Sequence, residues 1–451
     1  MRIRTVAALR CALTGALALS LTAGCAKGGG AGSSAHTVSY WLWDANQLPA
    51  YQACAKGFEK ENPGLNVKIT QLGWDDYWTK LTASFIAGTQ PDVFTDHIQK
   101  FGQFADLKVL EPLDDLGIDP SDYQSGLAAN WTGQDGHRYG APKDWDTVAL
   151  FYNQKMAGDA GLTAQELNSL SWNPKDGGTF EKAIAHLTVD RNGKRGDEPG
   201  FDRRHVKVYG LATGGAGDGD GQTTWSNFAA SAGWNYTDKK RWGTKYQYDS
   251  KTFQSVINWY FGLAKKGYMA PLTDYSAGAN PANAQVAGGK AAAAFDGAWM
   301  ISTYYGVKGL KVGTAFTPVG PTGKRATMMN GLADSVTKNA SNKQGALKWV
   351  KYLSSEACQK TVGTYGIVFP ATPDSTKAAV AAYKKKGIDV TAFTKPVADK
   401  KDFTTFSFPI TNYSADVYAL MHPAMQDIFG NGKSVSSLDE TTDQINLILD
   451  Q

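Results

Sequence analysis

The run Gly140-Ala-Pro-Lys-Asp-Trp-Asp-Thr-Val-Ala-Leu-Phe-Tyr-Asn153 turns from polar loop chemistry into an unbroken apolar segment. Its β-branched and aromatic part, Thr147–Tyr152, suits a buried strand, and its place mid-chain makes it a connecting one. Asp144, Trp145 and Asp146 then stand at the mouth of that strand, two acceptors and an indole face side by side. A hydroxylated ring is held by such groups: carboxylates take its hydroxyls in charge-assisted hydrogen bonds, and an indole covers its apolar CH face. The plainer alternative is a capped loop packed on a core.

Working outward, 451 residues with 42% apolar content exceed the size at which single cores usually stop growing, so two domains are expected. The formal charge of +4 falls to +1 without Arg2, Arg4 and Arg10, which sit in an N-terminal leader holding no acid. No basic patch interleaved with aromatics is present, so nucleic acid is not expected as a partner. The leader has a basic start, an apolar run from Cys11 to Leu21 too short to span a membrane, then Thr22-Ala-Gly-Cys25. Small residues before a cysteine resemble the lipobox of bacterial lipoproteins, although Thr22 stands where Leu is preferred. The reading is residues 1–24 as signal peptide, Cys25 lipidated, and 25–36 as tether, with Gly28–Ser34 flexible. An ordinary cleaved signal is the alternative. Cys54 and Cys358 then remain in an oxidising compartment; an even remainder points to a disulfide, and two separately buried thiols are the other possibility.

From Thr37 the chain alternates strand and helix. Strands are expected over 37–43, 67–72 and 91–95, with helices carrying Tyr51, Cys54 and Phe58, then Tyr77, Trp78, Leu81 and Phe85, then Phe101 onward. A βαβαβ order implies a parallel sheet covered by helices, with ligands beyond the carboxyl ends of the strands. Those ends present Trp43 and Asp44, Trp74 and Asp75, and Asp96 and His97. Asp75 also suits a helix N-cap.

Gly73-Trp-Asp-Asp-Tyr-Trp-Thr-Lys-Leu81, Ala87-Gly-Thr-Gln-Pro-Asp-Val-Phe94, Tyr139-Gly-Ala-Pro, Tyr152-Asn153, Tyr209-Gly-Leu-Ala212, Gly288-Gly-Lys-Ala-Ala-Ala293 and Gly297-Ala-Trp299 recur in an order and spacing that resembles the maltose-binding-protein-like extracellular solute-binding proteins of carbohydrate ABC importers. The likeness covers nearly the whole mature chain. It implies a two-lobed, type II periplasmic-binding-protein-like α/β fold, each lobe a mostly parallel sheet flanked by helices. Lobe one would be 37–143 plus 318–370, lobe two 146–313 plus 371–451, with hinges at 140–147 and 312–318. It further implies a sugar, an oligosaccharide in particular, between the lobes, and ABC permease subunits as partners. The receptor would be a monomer at the outer face of the cell membrane, held by lipid alone, without metal or other cofactor and without catalysis.

The resemblance also assigns site residues. Trp299 matches the tryptophan that stacks on the sugar, Asp146 the acidic sugar ligand, and Asp220 falls where the second lobe supplies contacts; a solvated loop is the alternative for Asp220. With Trp43, Asp44, Asp96, His97 and Trp145 these complete the expected ligand set. A secreted glycoside hydrolase with a carboxylate pair is the rival of another class. No His-Glu-x-x-His, no Gly-x-Ser-x-Gly and no Gly-Lys-Ser/Thr after the Gly214–Gly221 loop occurs, which argues against zinc, serine-hydrolase and phosphate-cradle chemistry.

Overall fold

The computed structural model describes residues 36–217, 219–272 and 282–451; the leader, Cys25 and the tether lie outside them. The first lobe starts as expected. Strands β1 (Thr37–Leu42), β2 (Asn66–Gln71) and β3 (Val93–His97) are connected by helices Leu48–Glu61 and Trp74–Ala87, and β1 pairs in parallel with both neighbours. The second of those helices stops at Gly88, whose φ of 67° is the left-handed cap that glycine adopts without strain.

The deciding stretch is a longer strand than expected. β4 runs Ala141–Asn153, so Asp144, Trp145 and Asp146 lie inside a strand rather than in a loop before one. Its two halves belong to different sheets. Ala141–Thr147 pairs with β9 (Arg325–Val336) and Asp144–Trp145 with β10 (Phe369–Pro370). Val148–Asn153 pairs instead with β7 (Ala291–Gly297) and β8 (Val312–Ala315). The ladder shifts register between Pro142 and Asp144, where proline has no N–H to give. The Lys143 carbonyl beside the shift is taken up by Gln359 Nε2 and the Ala371 N–H.

β9 is the second crossing. Its start pairs with β11 (Phe403–Phe406), its middle with β4 and its end with β3. The hinge expected at 312–318 is therefore displaced: β8 pairs only with the second half of β4, and the strand joining both lobes lies after the Pro318–Gly323 break. Asn330, Gly331 and Asp334 interrupt the apolar pattern of β9, yet the whole strand is buried. The second lobe adds β6 (Val206–Leu211), parallel to β7, and β5 (Val189–Asp190), antiparallel to β6. Both sheets are thus mixed, because the crossing strands return antiparallel.

Helix Pro373–Lys385 packs on helix Glu356–Tyr365, so closely that a side chain at Gly363 would meet the Ser375 carbonyl. It belongs with the first lobe's helices, beyond the boundary expected at 370. Cys54 and Cys358, on helices Leu48–Glu61 and Glu356–Tyr365, are joined with Cα atoms 5.2 Å apart, inside a core that includes Tyr40, Tyr51, Phe58 and Trp349.

Candidate functional site

A cavity of ≈ 780 Å³ opens between the lobes. Trp43, Asp44, His97, Trp145, Asp146 and Trp299 all line it, drawn from the segment just after β1, from β3 and β4, and from the turn after β7. Joining them are Asp144, offered with Trp145 and Asp146 at the strand mouth, Trp74 and Asp75, expected at a strand end, and Gln47, Trp78, Gln99 and Lys100, which the sequence did not point to.

One wall is aromatic. Trp43 meets Trp74 and Tyr77 edge to face at 5.1 Å, and Trp78 at 5.4 Å, arrangements that satisfy the rings' quadrupoles. Trp74 keeps 42% of its surface exposed. Trp78 Nε1 is buried without an acceptor. His97 closes this wall, and its Nδ1 accepts the Gln99 N–H at 3.2 Å, capping the helix Ile98–Asp106. Burial, helped by Lys100, pushes the imidazole down to about 3, so the ring is neutral and its Nε2 carries the proton.

The opposite wall comes from the second lobe. Trp299 sits in a single turn, Ala298–Met300, at the end of β7. Its ring folds directly over Gly297, where an added Cβ would lie 1.9 Å from Cζ3. The absence of a side chain at 297 therefore sets the indole's position. Behind it Asp296 accepts the Gly297 N–H and the Tyr304 hydroxyl, and burial raises its carboxyl to about 7.

The floor is β4. Asp144, Trp145 and Asp146 all contribute to its lining, Asp144 largely buried. Trp145 is only 2% exposed, stacks on Phe369 at 4.8 Å and donates Nε1 to Thr376 Oγ1. Its ring is therefore packed as well as set on the cavity lining. Asp146 Oδ1 accepts from Asn330 Nδ2 on β9, and burial followed by the Asp144 charge pushes its carboxyl well above the usual range. Burial also lifts Asp144, to about 7, against the neighbouring Lys143.

Two expected contacts, Asp96 and Asp220, are not on the cavity wall. Asp96 is fully buried, raised by burial, with Oδ1 turned back to the His97 N–H. β3 extends past Thr95, so the alternation that brings His97 to the cavity takes Asp96 away. Asp220 lies beside the cavity rather than on it, in a narrow space shared with Gln99, Lys100 and Tyr418. Its Oδ2 accepts from Gln99 Nε2 across the lobes, and its carbonyl accepts from Tyr236 Oη. Burial raises its carboxyl to about 6, with Gln99 and Lys100 opposing. Among the described residues, no group of three or more His, Cys, Asp or Glu could hold a metal ion, and no helix is long and apolar enough to cross a membrane.

Indoles and carboxylates facing each other across a junction of two lobes can hold a polar ring by its edge and its face at once. Comparison with known proteins agrees with that architecture. A binding protein of Brucella abortus is 24% identical over 422 residues, 90% of this chain and 91% of that protein. A maltooligosaccharide ABC transporter solute-binding lipoprotein of Streptococcus pneumoniae is 26% identical over 319 residues, 68% of this chain and 66% of its own length. Among solved structures, the ABC substrate-binding protein Lmo0181 of Listeria monocytogenes, in complex with cycloalternan, aligns with a TM-score of 0.76 over 92% of this chain and 98% of that one, at 19% identity. The family model for bacterial extracellular solute-binding proteins matches residues 53–390. With that match across most of its length and the two-lobed fold that frames the cleft, the chain belongs to the bacterial extracellular solute-binding proteins.

Proposed function

We propose that this protein is the receptor of a carbohydrate ABC importer, binding an oligosaccharide between its lobes and handing it to the permease subunits. The observation that carries this reading is the inter-lobe cavity of ≈ 780 Å³, furnished with both stacking and hydrogen-bonding groups. Trp299 covers a sugar face from the second lobe, Asp44 and Asp146 accept hydroxyls, and His97 donates from Nε2. The sugars in the names of the pneumococcal and Listeria proteins support the class of ligand. The lobes turn about β4 and β9, and Cys25 carries lipid that holds the receptor, as a monomer, at the outer membrane face. The binding cycle leaves the sugar unchanged.

A thermal-shift screen over mono- and oligosaccharides tests this. Ligand at a hundredfold excess over Kd stabilises by about 2.7 kcal/mol, so a binder raises the melting temperature visibly. A panel of neutral and amino oligosaccharides that leaves it unmoved refutes the reading. Chromatography of the recovered ligand separates the rival: shortened products would make the raised carboxyls of Asp144 and Asp146 those of a glycoside hydrolase.

A further inference from the structure

The cavity stops short on one side. Gln99, Lys100 and Tyr418 line both the cavity and the narrow space that holds Asp220, so these three side chains are the partition between the two. Beyond the partition the free volume is ≈ 20 Å³, against ≈ 780 Å³ in front of it. A space of that size takes about one water molecule and no sugar ring.

The partition is built from both lobes. Gln99 and Lys100 open the helix Ile98–Asp106 of the first lobe, whereas Asp220 and Tyr418, the latter on the helix Ser414–Gly430, belong to the second. Gln99 Nε2 donates to Asp220 Oδ2, and Lys100 Nζ stands 5.4 Å from the centre of the Tyr418 ring. The seam behind it continues along the first-lobe helix. Phe101 meets Trp242 at 6.0 Å, an added Cβ on Gly102 would lie 2.5 Å from the Thr411 carbonyl oxygen, and Asp106 Oδ2 accepts the Tyr413 N–H at 2.9 Å. At Trp299 and Met300, by contrast, no hydrogen bond, ion pair or ring contact reaches the first lobe among the described residues.

A polymer lying in a trough walled on one side has a fixed register: a chain end lies against the wall, because a further ring would need the space the wall occupies. Lys100 is the group there with donors to spare. Among the described residues its Nζ makes no hydrogen bond and no ion pair, and an ammonium carries three N–H donors.

Resting on the reading of the cavity as a sugar site, we propose that the protein takes an oligosaccharide by one chain end. The terminal ring sits against Gln99, Lys100 and Tyr418, with Lys100 donating to its hydroxyls, and the remaining rings lead away past Trp299.

The test is calorimetry on the full mature protein with linear hexasaccharides of α-1,4-glucose, β-1,4-glucose and β-1,4-mannose. Each is used unmodified, as the 4-nitrophenyl glycoside at the reducing end, and as the 4,6-benzylidene derivative at the non-reducing end. For the backbone that binds, the group on one end is expected to weaken binding at least about tenfold and the group on the other less than about threefold, since only one of them meets the partition. Lys100→Met is expected to weaken the unmodified chain about tenfold, as loss of a charged donor predicts, and to leave the blocked chain nearly unchanged, so that the penalty for blocking shrinks. Gln99→Ala, which opens the partition, shrinks it too. Melting curves establish that each variant is folded. Both end-modified chains binding as tightly as the parent would overturn the proposal while leaving the receptor reading standing, and so would equal penalties at both ends. A one-ended penalty undiminished in both variants would place the chain end elsewhere and overturn it as well. If none of the unmodified sugars binds, both readings fall together.

Discussion

Gly297 is a binding determinant without a side chain. A methyl group there would lie 1.9 Å from Trp299 Cζ3, 2.2 Å from Cη2 and 2.3 Å from Cε3, far inside contact distance, so Gly297→Ala must swing the indole off its seat. The backbone tolerates the change, since Gly297 has φ −89° and ψ 164°, ordinary extended values. The cost therefore falls on the position of the ring rather than on β7. If the indole covers one face of a bound ring, losing it removes about 1–3 kcal/mol of stacking and buried area. That corresponds to roughly five- to 150-fold in Kd. Trp299→Ala should lose a similar amount, and the double variant little more than either, because both changes remove one interaction. Calorimetry with the sugar found by thermal shift reads all three. Wild-type affinity in Gly297→Ala beside weakened binding in Trp299→Ala would refute the argument that the glycine sets the ring.

Two other outcomes follow from burial. Asp144 and Asp296 are raised to about 7 and Asp220 and Asp334 to about 6, all chiefly by desolvation, so the native state binds more protons than the unfolded chain between their ordinary and raised values. Stability should then fall, on the order of a few kcal/mol, as pH rises from about 4 to about 7. His97, held neutral, acts in the opposite sense below about 6.5, one group against several carboxyls. Urea titrations across that range check it, and a flat or rising profile contradicts the assignment. The Cys54–Cys358 bridge spans 304 residues of sequence, so reducing it, or replacing both with Ser, should destabilise the chain by about 3–5 kcal/mol through the freed unfolded state; unchanged melting in reductant would count against a bridge in solution.

What the sequence disclosed followed from local periodicity. The first three strands and their helices repeat apolar residues at spacings of two or of three and four, and glycine closes a helix where expected at Gly88. Strand β4 was legible only from Thr147 onward, since Lys143, Asp144 and Asp146 are residues a buried strand seldom holds, and the partners that make them tolerable lie on β9, β10 and the N-terminal helix. Once those residues are in a strand, the pairing of β4 with β10 explains why the Trp145 ring stacks on Phe369. Asp96 was misplaced for the same reason, by a strand end drawn too early. Trp74 and Trp78 keep helical spacing and so look like core, although the helix faces the cavity with them. Gln47 and Lys100 carry no local signal; only the folded chain brings them to the wall.

The paired crossing of β4 and β9 also decides how far each wall group travels when one lobe rotates against the other. A point on the rotation axis is carried nowhere, and displacement grows with distance from it. Asp146 is bonded to Asn330 from one crossing strand to the other, so on the proposed turn about β4 and β9 both would sit near the axis and keep their spacing. Trp43 and Trp299 stand out along the two arms, where a few degrees become ångströms. If the lobes turn as proposed, polar anchoring at the floor would precede aromatic enclosure by the walls.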